Sequence, residues 1–209
     1  MISIALFPCL FTDGARVVGE LSYTFGNPVM TDELLIHELS KENEYTASEI
    51  RTHLFGPPTG KMSQEIIKAK LVSQVTRHLA TLLQDSTDWL YYGFFTILLD
   101  SAKHNLRKIL ITADYECRQR NAERQESLTR EKALDKIKEH DQTASYWTQY
   151  ITGSSPYSPR LYDTVIEYQC QDLLDVIASI FMLYETGDKQ PELQLQPETL
   201  TQISLQPDK

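Results

Sequence analysis

Residues 2–25 read ISIALFPCLFTDGARVVGELSYTF. The first six form a short, mostly apolar run, the pattern of a buried strand. PCLFTDG is a connecting loop. Beyond it, Val17, Leu21 and Phe25 recur every fourth position and define one face of a helix. Asp13 is the expected N-cap, and Gly26-Asn27 the stop. A strand, a loop and a helix in this order form the first half of a β-α-β unit.

The same grammar continues outward. PVM is a very short strand near Val29, and Thr31-Asp32-Glu33 opens a helix with two acids in the first turn, where the helix dipole favours them. Thr46 and Glu49 have capping-box spacing. GPPTGK, residues 56–61, is a turn. Ile66, Ile67, Leu71, Val75, Leu79 and Leu82 trace a long amphipathic helix over 63–83. WLYYG (89–93) and KILIT (108–112) read as buried strands, with helix or turn in the residues between them. Charged helices follow at about 116–126 and 129–150, then strand-forming YDTVIEY (162–168) and an amphipathic helix over 171–185. Strands alternating with helices predict a parallel sheet covered on both faces. The stretch 186–209 holds five Gln and three Pro and no aromatic residue, the composition of a flexible or partner-binding tail. One domain over 1–185 is therefore expected.

The 209 residues carry a net charge of −9, with 41% hydrophobic and 23% charged residues. That is ordinary for a soluble globular chain, and the negative balance speaks against nucleic-acid binding. The most apolar window, WLYYGFFTILL at 89–99, is eleven residues long, against the roughly 20 that span a bilayer. Membrane insertion is not expected. Cys9, Cys117 and Cys170 include no C-x-x-C pair, and no basic segment precedes the first apolar run. Both features favour a reduced, cytoplasmic protein.

The loop before the first helix is where many α/β folds hold phosphate on helix amides. Such a loop needs glycines, a lysine and a Ser/Thr. Phe11-Thr12-Asp13-Gly14 supplies one glycine, and no lysine follows. Asp13, as an N-cap, would put its own carboxylate in the anion's place. A phosphate charge about 4 Å from it would meet roughly 4 kcal/mol of repulsion at an effective dielectric near 20. GPPTGKM at 56–62 imitates the Lys-containing phosphate motif, but its glycines are one residue too close and Met62 stands where Ser/Thr is required. The segment 118–138 carries seven basic residues interleaved with acids. It reads as a solvated helical hairpin, or as a lid whose arginines clamp phosphates. The five histidines are scattered without metal-ligand spacing, so no metal site is expected.

Residues 108–181 resemble the cytidylate-kinase-like family of P-loop nucleotide kinases. KILITADYECR matches the strand end where the family has A-P-x-x-x-R, with Ala113 and Arg118 in register. SLTREKALDKIKEHDQTASYW is similar to the family's lid, and Leu161-Tyr162-Asp163 to its Y-D-L segment. Thr31-Asp32-Glu33-Leu34-Leu35 stands for Y-D-x-E-L-I, so the resemblance extends over nearly 180 residues. It implies a three-layer α/β fold with a five-stranded parallel sheet in the order 2-3-1-4-5 and a helical lid over about 116–155. It also implies ATP, Mg²⁺ and a CMP-type acceptor for an active member, with Arg118, Arg124, Asp141 and Asp163 as nucleotide or lid contacts. The departures fall on the chemistry. The family's G-S-G-G is Phe11-Thr12-Asp13-Gly14, the arginine of V-G-R-G-A is Phe94, and the arginine of the lid D-x-x-R is Ala144. Phosphoryl transfer rests on positioning and charge stabilisation, so these losses predict little activity. The expectation is a catalytically inactive relative needing no cofactor. It would act as a regulatory, nucleotide-sensing or assembly subunit with a protein partner, a weakly bound nucleotide or a second copy of itself; the alternative is an active kinase.

Overall fold

A computed structural model describes residues 3–84, 87–102, 104–168 and 173–186. The tail expected beyond 186 lies outside them. In chain order the elements are β1 (Ser3–Phe7), α1 (Gly14–Phe25), β2 (Val29–Thr31), α2 (Asp32–Glu42), α3 (Ala47–Phe55), α4 (Met62–Gln84) and β3 (Leu90–Tyr92). A 3-10 turn (Phe94–Leu98), β4 (Leu106–Thr112), α5 (Tyr115–Glu126), α6 (Arg130–Thr152), a second 3-10 turn (Pro159–Leu161), β5 (Thr164–Glu167) and α7 (Leu173–Thr186) follow. The five strands are parallel in the order β2-β3-β1-β4-β5, the order that the family resemblance implies.

Strand alternation sorts the core into two layers. Ile4 and Leu6 of β1, Leu90 of β3, and Ile109 and Ile111 of β4 pack with Val17, Val18 and Leu21 of α1 and Val176 and Ile180 of α7. Ala5 and Phe7, Tyr91, and Leu106 and Leu110 face the other way, onto residues of α2, α3, α4 and α6. Buried on both faces, the strands need uninterrupted apolar sequence, which is why they were visible as runs. Helix punctuation follows the sequence closely. Gly26 ends α1 with a left-handed φ of 71°, and Thr46 and Glu49 form a reciprocal capping box at α3.

Two expectations change. Ile66, expected on the buried face of α4, is 63% exposed. Neighbouring helical residues point about 100° apart, so Ile66 and Ile67 cannot share one face. Cys117 is disulfide-bonded while Cys9 is a free buried thiol, so the reduced state expected from cysteine spacing does not hold for Cys117. Spacing along the chain does not by itself decide whether a cysteine is bonded.

Asp32 stands with Glu33 in the first turn of α2, as expected, and also makes a contact that the sequence did not show. It is buried, and its carboxylate reaches across to the turn after β3. Oδ2 accepts from the Phe94 N–H at 2.7 Å and Oδ1 from the Phe95 N–H at 3.2 Å. Thr31 caps α2, its hydroxyl oxygen accepting from the Leu34 N–H. Gly93 is required beside it, because a Cβ there would stand 2.6 Å from the Asp32 carboxylate. Burial pushes the Asp32 carboxyl up to about 7, with the two amide bonds opposing the shift.

Asp32→Asn keeps one acceptor but turns an amide NH₂ toward a backbone N–H. We expect a loss of about 1–3 kcal/mol for the orphaned donor, read by urea unfolding. The raised pKa also sets a pH signature. The folded state holds the Asp32 proton more tightly than the unfolded chain, so this group's contribution is complete below about pH 4. It falls as pH rises toward about 7 and is flat above. Stability measured against pH should show that slope in the wild type and lack it in Asp32→Asn.

Candidate functional site

The loop between β1 and α1 lies at the carboxyl end of the sheet, where open α/β sheets place their ligands. Its six residues, Pro8 to Asp13, are folded inward onto α5. Leu10, Phe11 and Asp13 each meet a donor from one helical face. Arg118 Nε donates to the Leu10 carbonyl at 2.8 Å, Asn121 Nδ2 to the Phe11 carbonyl at 2.8 Å, and Gln125 Nε2 to Asp13 Oδ1 at 2.7 Å. The donors are three and four residues apart along α5, the spacing of a single stripe. Thr12 closes the turn on itself, its hydroxyl donating to the Cys9 carbonyl at 2.7 Å.

Phe11 and Asp13 both have left-handed backbones, φ 63° and 58°. Such conformations are unfavourable for side chains with a Cβ and persist where surroundings enforce them. Phe11 is enforced by packing: its ring is buried with Ala122 of α5 and Ala133 and Ile137 of α6. Asp13 is enforced by charge and hydrogen bonding. Besides Gln125 it accepts from the Tyr168 hydroxyl at 2.8 Å and pairs with Arg16 at 3.2 Å and Arg124 at 3.6 Å. Asp13 is therefore not the side-chain cap expected from the sequence. Among the described residues its carboxylate makes no bond to the α1 amides and turns to α5 and the end of β5 instead. Gly14 opens α1 with the Tyr92 ring 3.4 Å from where a Cβ would be.

Below the loop, the hairpin of α5 and α6 is fastened by a buried ion pair. Arg118 Nη1 and Nη2 donate to the two oxygens of Asp141 at 2.9 and 2.7 Å, a bidentate fork. Tyr157 donates to the same carboxylate at 2.6 Å and Tyr115 at 3.2 Å, and His140 Nδ1 stands 3.6 Å away. Burial alone would raise the Asp141 carboxyl; the neighbouring imidazole and the bonds from Arg118 and Tyr157 outweigh it and hold the group well below the usual range. Burial pushes the adjacent Cys9 thiol up, which leaves it a poor nucleophile.

The two positions where the resemblance implies arginine meet in one apolar cluster. Phe94 packs against Phe7, Phe55 and His140 at centroid distances of 5.6, 5.3 and 5.1 Å. Its carbonyl accepts from Trp147 Nε1 at 2.7 Å, and Trp147 stands edge-on to Phe55 at 5.1 Å. Ala144, one turn before Trp147, is fully buried in the same cluster. Aromatic rings occupy the space between the sheet end and α6.

Of the residues singled out from sequence, Phe11, Thr12, Asp13, Gly14, Arg118, Arg124 and Asp141 are brought into one region. Asp163 is not. It lies at the amino end of β5, whereas the loop leaves the carboxyl end of β1, and its oxygens accept from Ser101 Oγ at 2.9 Å and the Lys108 N–H at 2.8 Å. Asn121, Gln125, Tyr157, Tyr168 and Trp147 were missed. The i, i+3, i+7 stripe of Arg118, Asn121 and Gln125 was present in the sequence, but a polar stripe on a charged helix has the same pattern as a solvated face.

Sheet order, loop and helical hairpin together define an α/β protein of the P-loop kinase-like class. A family model described as cytidylate kinase-like matches residues 14–169. The chain belongs to the cytidylate kinase-like family. Among solved structures, an uncharacterized protein from Eubacterium ventriosum superposes with a TM-score of 0.68 at 15% identity, covering 88% of this chain and 98% of that one. TT1252 from Thermus thermophilus gives 0.54 at 14% identity, covering 90% and 98%. A shikimate kinase from Acinetobacter baumannii gives 0.48 at 12% identity, covering 91% and 96%. No curated protein matches the sequence.

Arg118→Met would strand the Asp141 carboxylate and the Leu10 carbonyl together. Breaking one side of a buried pair costs about 3 kcal/mol or more, and equilibrium unfolding should show a loss of that order. Because the folded Asp141 pKa is depressed, its contribution is present above about pH 4 and is lost as pH falls below that value. The acid limb of the stability profile should be shallower in the variant.

Proposed function

We propose that this chain is a non-catalytic member of its family, a pseudokinase serving as a regulatory or assembly subunit through a protein partner. One observation carries the reading: the β1–α1 loop is occupied by the protein itself. Phosphoryl transfer asks this region for open backbone amides and cations that meet developing charge. Here Asp13 takes up the local donors with a fixed negative charge, and Phe11 fills the space against α5 and α6. The losses are also mutually consistent. An isolated arginine left in the cluster of Phe55, Phe94 and Trp147 would be a buried unpaired charge, so replacement by Phe94 and Ala144 goes with dispensing with substrate. Lid opening, which a nucleotide kinase needs for substrate entry and product release, would have to release Arg118 and Asn121 from the Leu10 and Phe11 carbonyls and withdraw Trp147 from Phe94. A nucleotide, if sensed, would bind weakly and without turnover.

The test is turnover with ATP, Mg²⁺ and CMP or UMP, followed by a coupled assay. We expect none above the uncatalysed background. A rate near 1 per second, ordinary for kinases, would overturn the proposal. Thermal-shift measurements over the nucleotides, with and without Mg²⁺, should give shifts within error or small ones independent of the metal.

A further inference from the structure

β4 is an interior strand, between β1 and β5. Its alternation sends Leu106 and Leu110 into the layer of α2–α4 and α6, and Ile109 and Ile111 into the other. Lys108 shares the parity of Leu106 and Leu110, so a lysine holds a core-facing register position. It is only 9% exposed. An ammonium has three donors, yet among the described residues Lys108 Nζ makes one long bond, 3.4 Å to the Ile97 carbonyl. Burial lowers its pKa from the ordinary lysine value, with the charges of Asp163 and Asp100 opposing. Those carboxylates are already engaged: Asp163 by Ser101 and the Lys108 N–H, Asp100 by the Ala102 N–H at 3.0 Å. A buried cation so weakly satisfied is a rare and costly arrangement that calls for a partner.

The space beside it is a cavity of about 300 Å³, walled by residues 97–101 and 160–163, with Lys108 in its lining. That is the lower end of the size of small-molecule sites. It belongs to the amino end of β5, away from the β1–α1 loop, and Arg160 stands exposed at its rim. We propose that this cavity binds a small oxyanion, the phosphate or carboxylate group of a small molecule, held between Lys108 inside and Arg160 at the rim. The two cations are complementary: a compact point charge within, and a planar fork that closes on an oxyanion from outside. Asp100 and Asp163 leave the wall without net charge, so the cavity accommodates a single anionic group rather than a polyphosphate, at millimolar strength.

The experiment is a backbone amide NMR titration of the full chain with inorganic phosphate and, separately, acetate. Saturable shifts confined to residues 97–101 and 160–163, with a millimolar midpoint for at least one probe, are expected, and the tighter probe identifies the ligand's anionic group. Lys108→Met should abolish saturation. Arg160→Ala, a change at an exposed side chain, should raise the midpoint several-fold with the spectrum otherwise intact. The proposal is overturned if neither probe saturates these resonances, or if the midpoint in Lys108→Met equals that of the wild type. Should Lys108→Met fail to fold, the Arg160→Ala titration decides, and an unchanged midpoint there overturns the proposal.

Discussion

The fork between Arg118 and Asp141 is the contact on which the upper half of the molecule depends. One guanidinium uses two nitrogens to hold α6 and the third to hold the loop at Leu10. It works because Arg118 is buried: a charged hydrogen bond in a low-dielectric setting is strong, and losing either member would leave the other without compensation. Around it, Tyr115 and Tyr157 use the remaining acceptor capacity of the carboxylate. Loop, α5 and α6 thus share one electrostatic anchor, and displacing any of them disturbs all three.

The residues that this chain retains from the family pattern, and those that it lacks, divide along physical lines. Arg118, Asp141, Asp32 and Gly93 persist, and each has work inside the protein: a buried ion pair, or a carboxylate docked on two amides with a glycine making room. Two of the loop's three glycines and the two arginines are replaced; Phe11, Phe94 and Ala144 in their places serve packing, and Asp13 serves hydrogen bonds within the protein. The first group contributes to the fold whether or not a substrate binds; the second would leave an uncompensated charge or a backbone without side chains where none does.

Strands and helices were legible because their signals are local. The apolar runs at residues 2–7 and 108–112, the Thr46–Glu49 box and the Gly26 stop each lie within a few residues. Strand order was legible only through the family resemblance, since an apolar run does not name its neighbour. The site was half legible. That Phe11, Asp13, Phe94 and Ala144 depart from the residues of the family pattern could be read from the sequence. What replaced it could not, because the Asp13 partners lie on α5 and at Tyr168, and nothing in the sequence near Asp13 announces them. The misread cap shows the limit: Asp before a helix is a good local rule, and a hydroxyl and an amide from distant segments outcompeted it.

The loop's bonds have one further consequence, for the order in which the chain acquires its shape. Its ties to Arg118, Asn121, Gln125 and Tyr168 span 108, 110, 112 and 155 residues. Contacts of such long range form only after the intervening chain has paid its closure entropy. During synthesis the first strand and helix therefore leave the ribosome with their junction undefined. The left-handed turn at Phe11 must wait for α5 and α6, and the one at Asp13 for Tyr168 beyond β5, so a junction laid down near the start of the fold is fixed only when most of the chain is present.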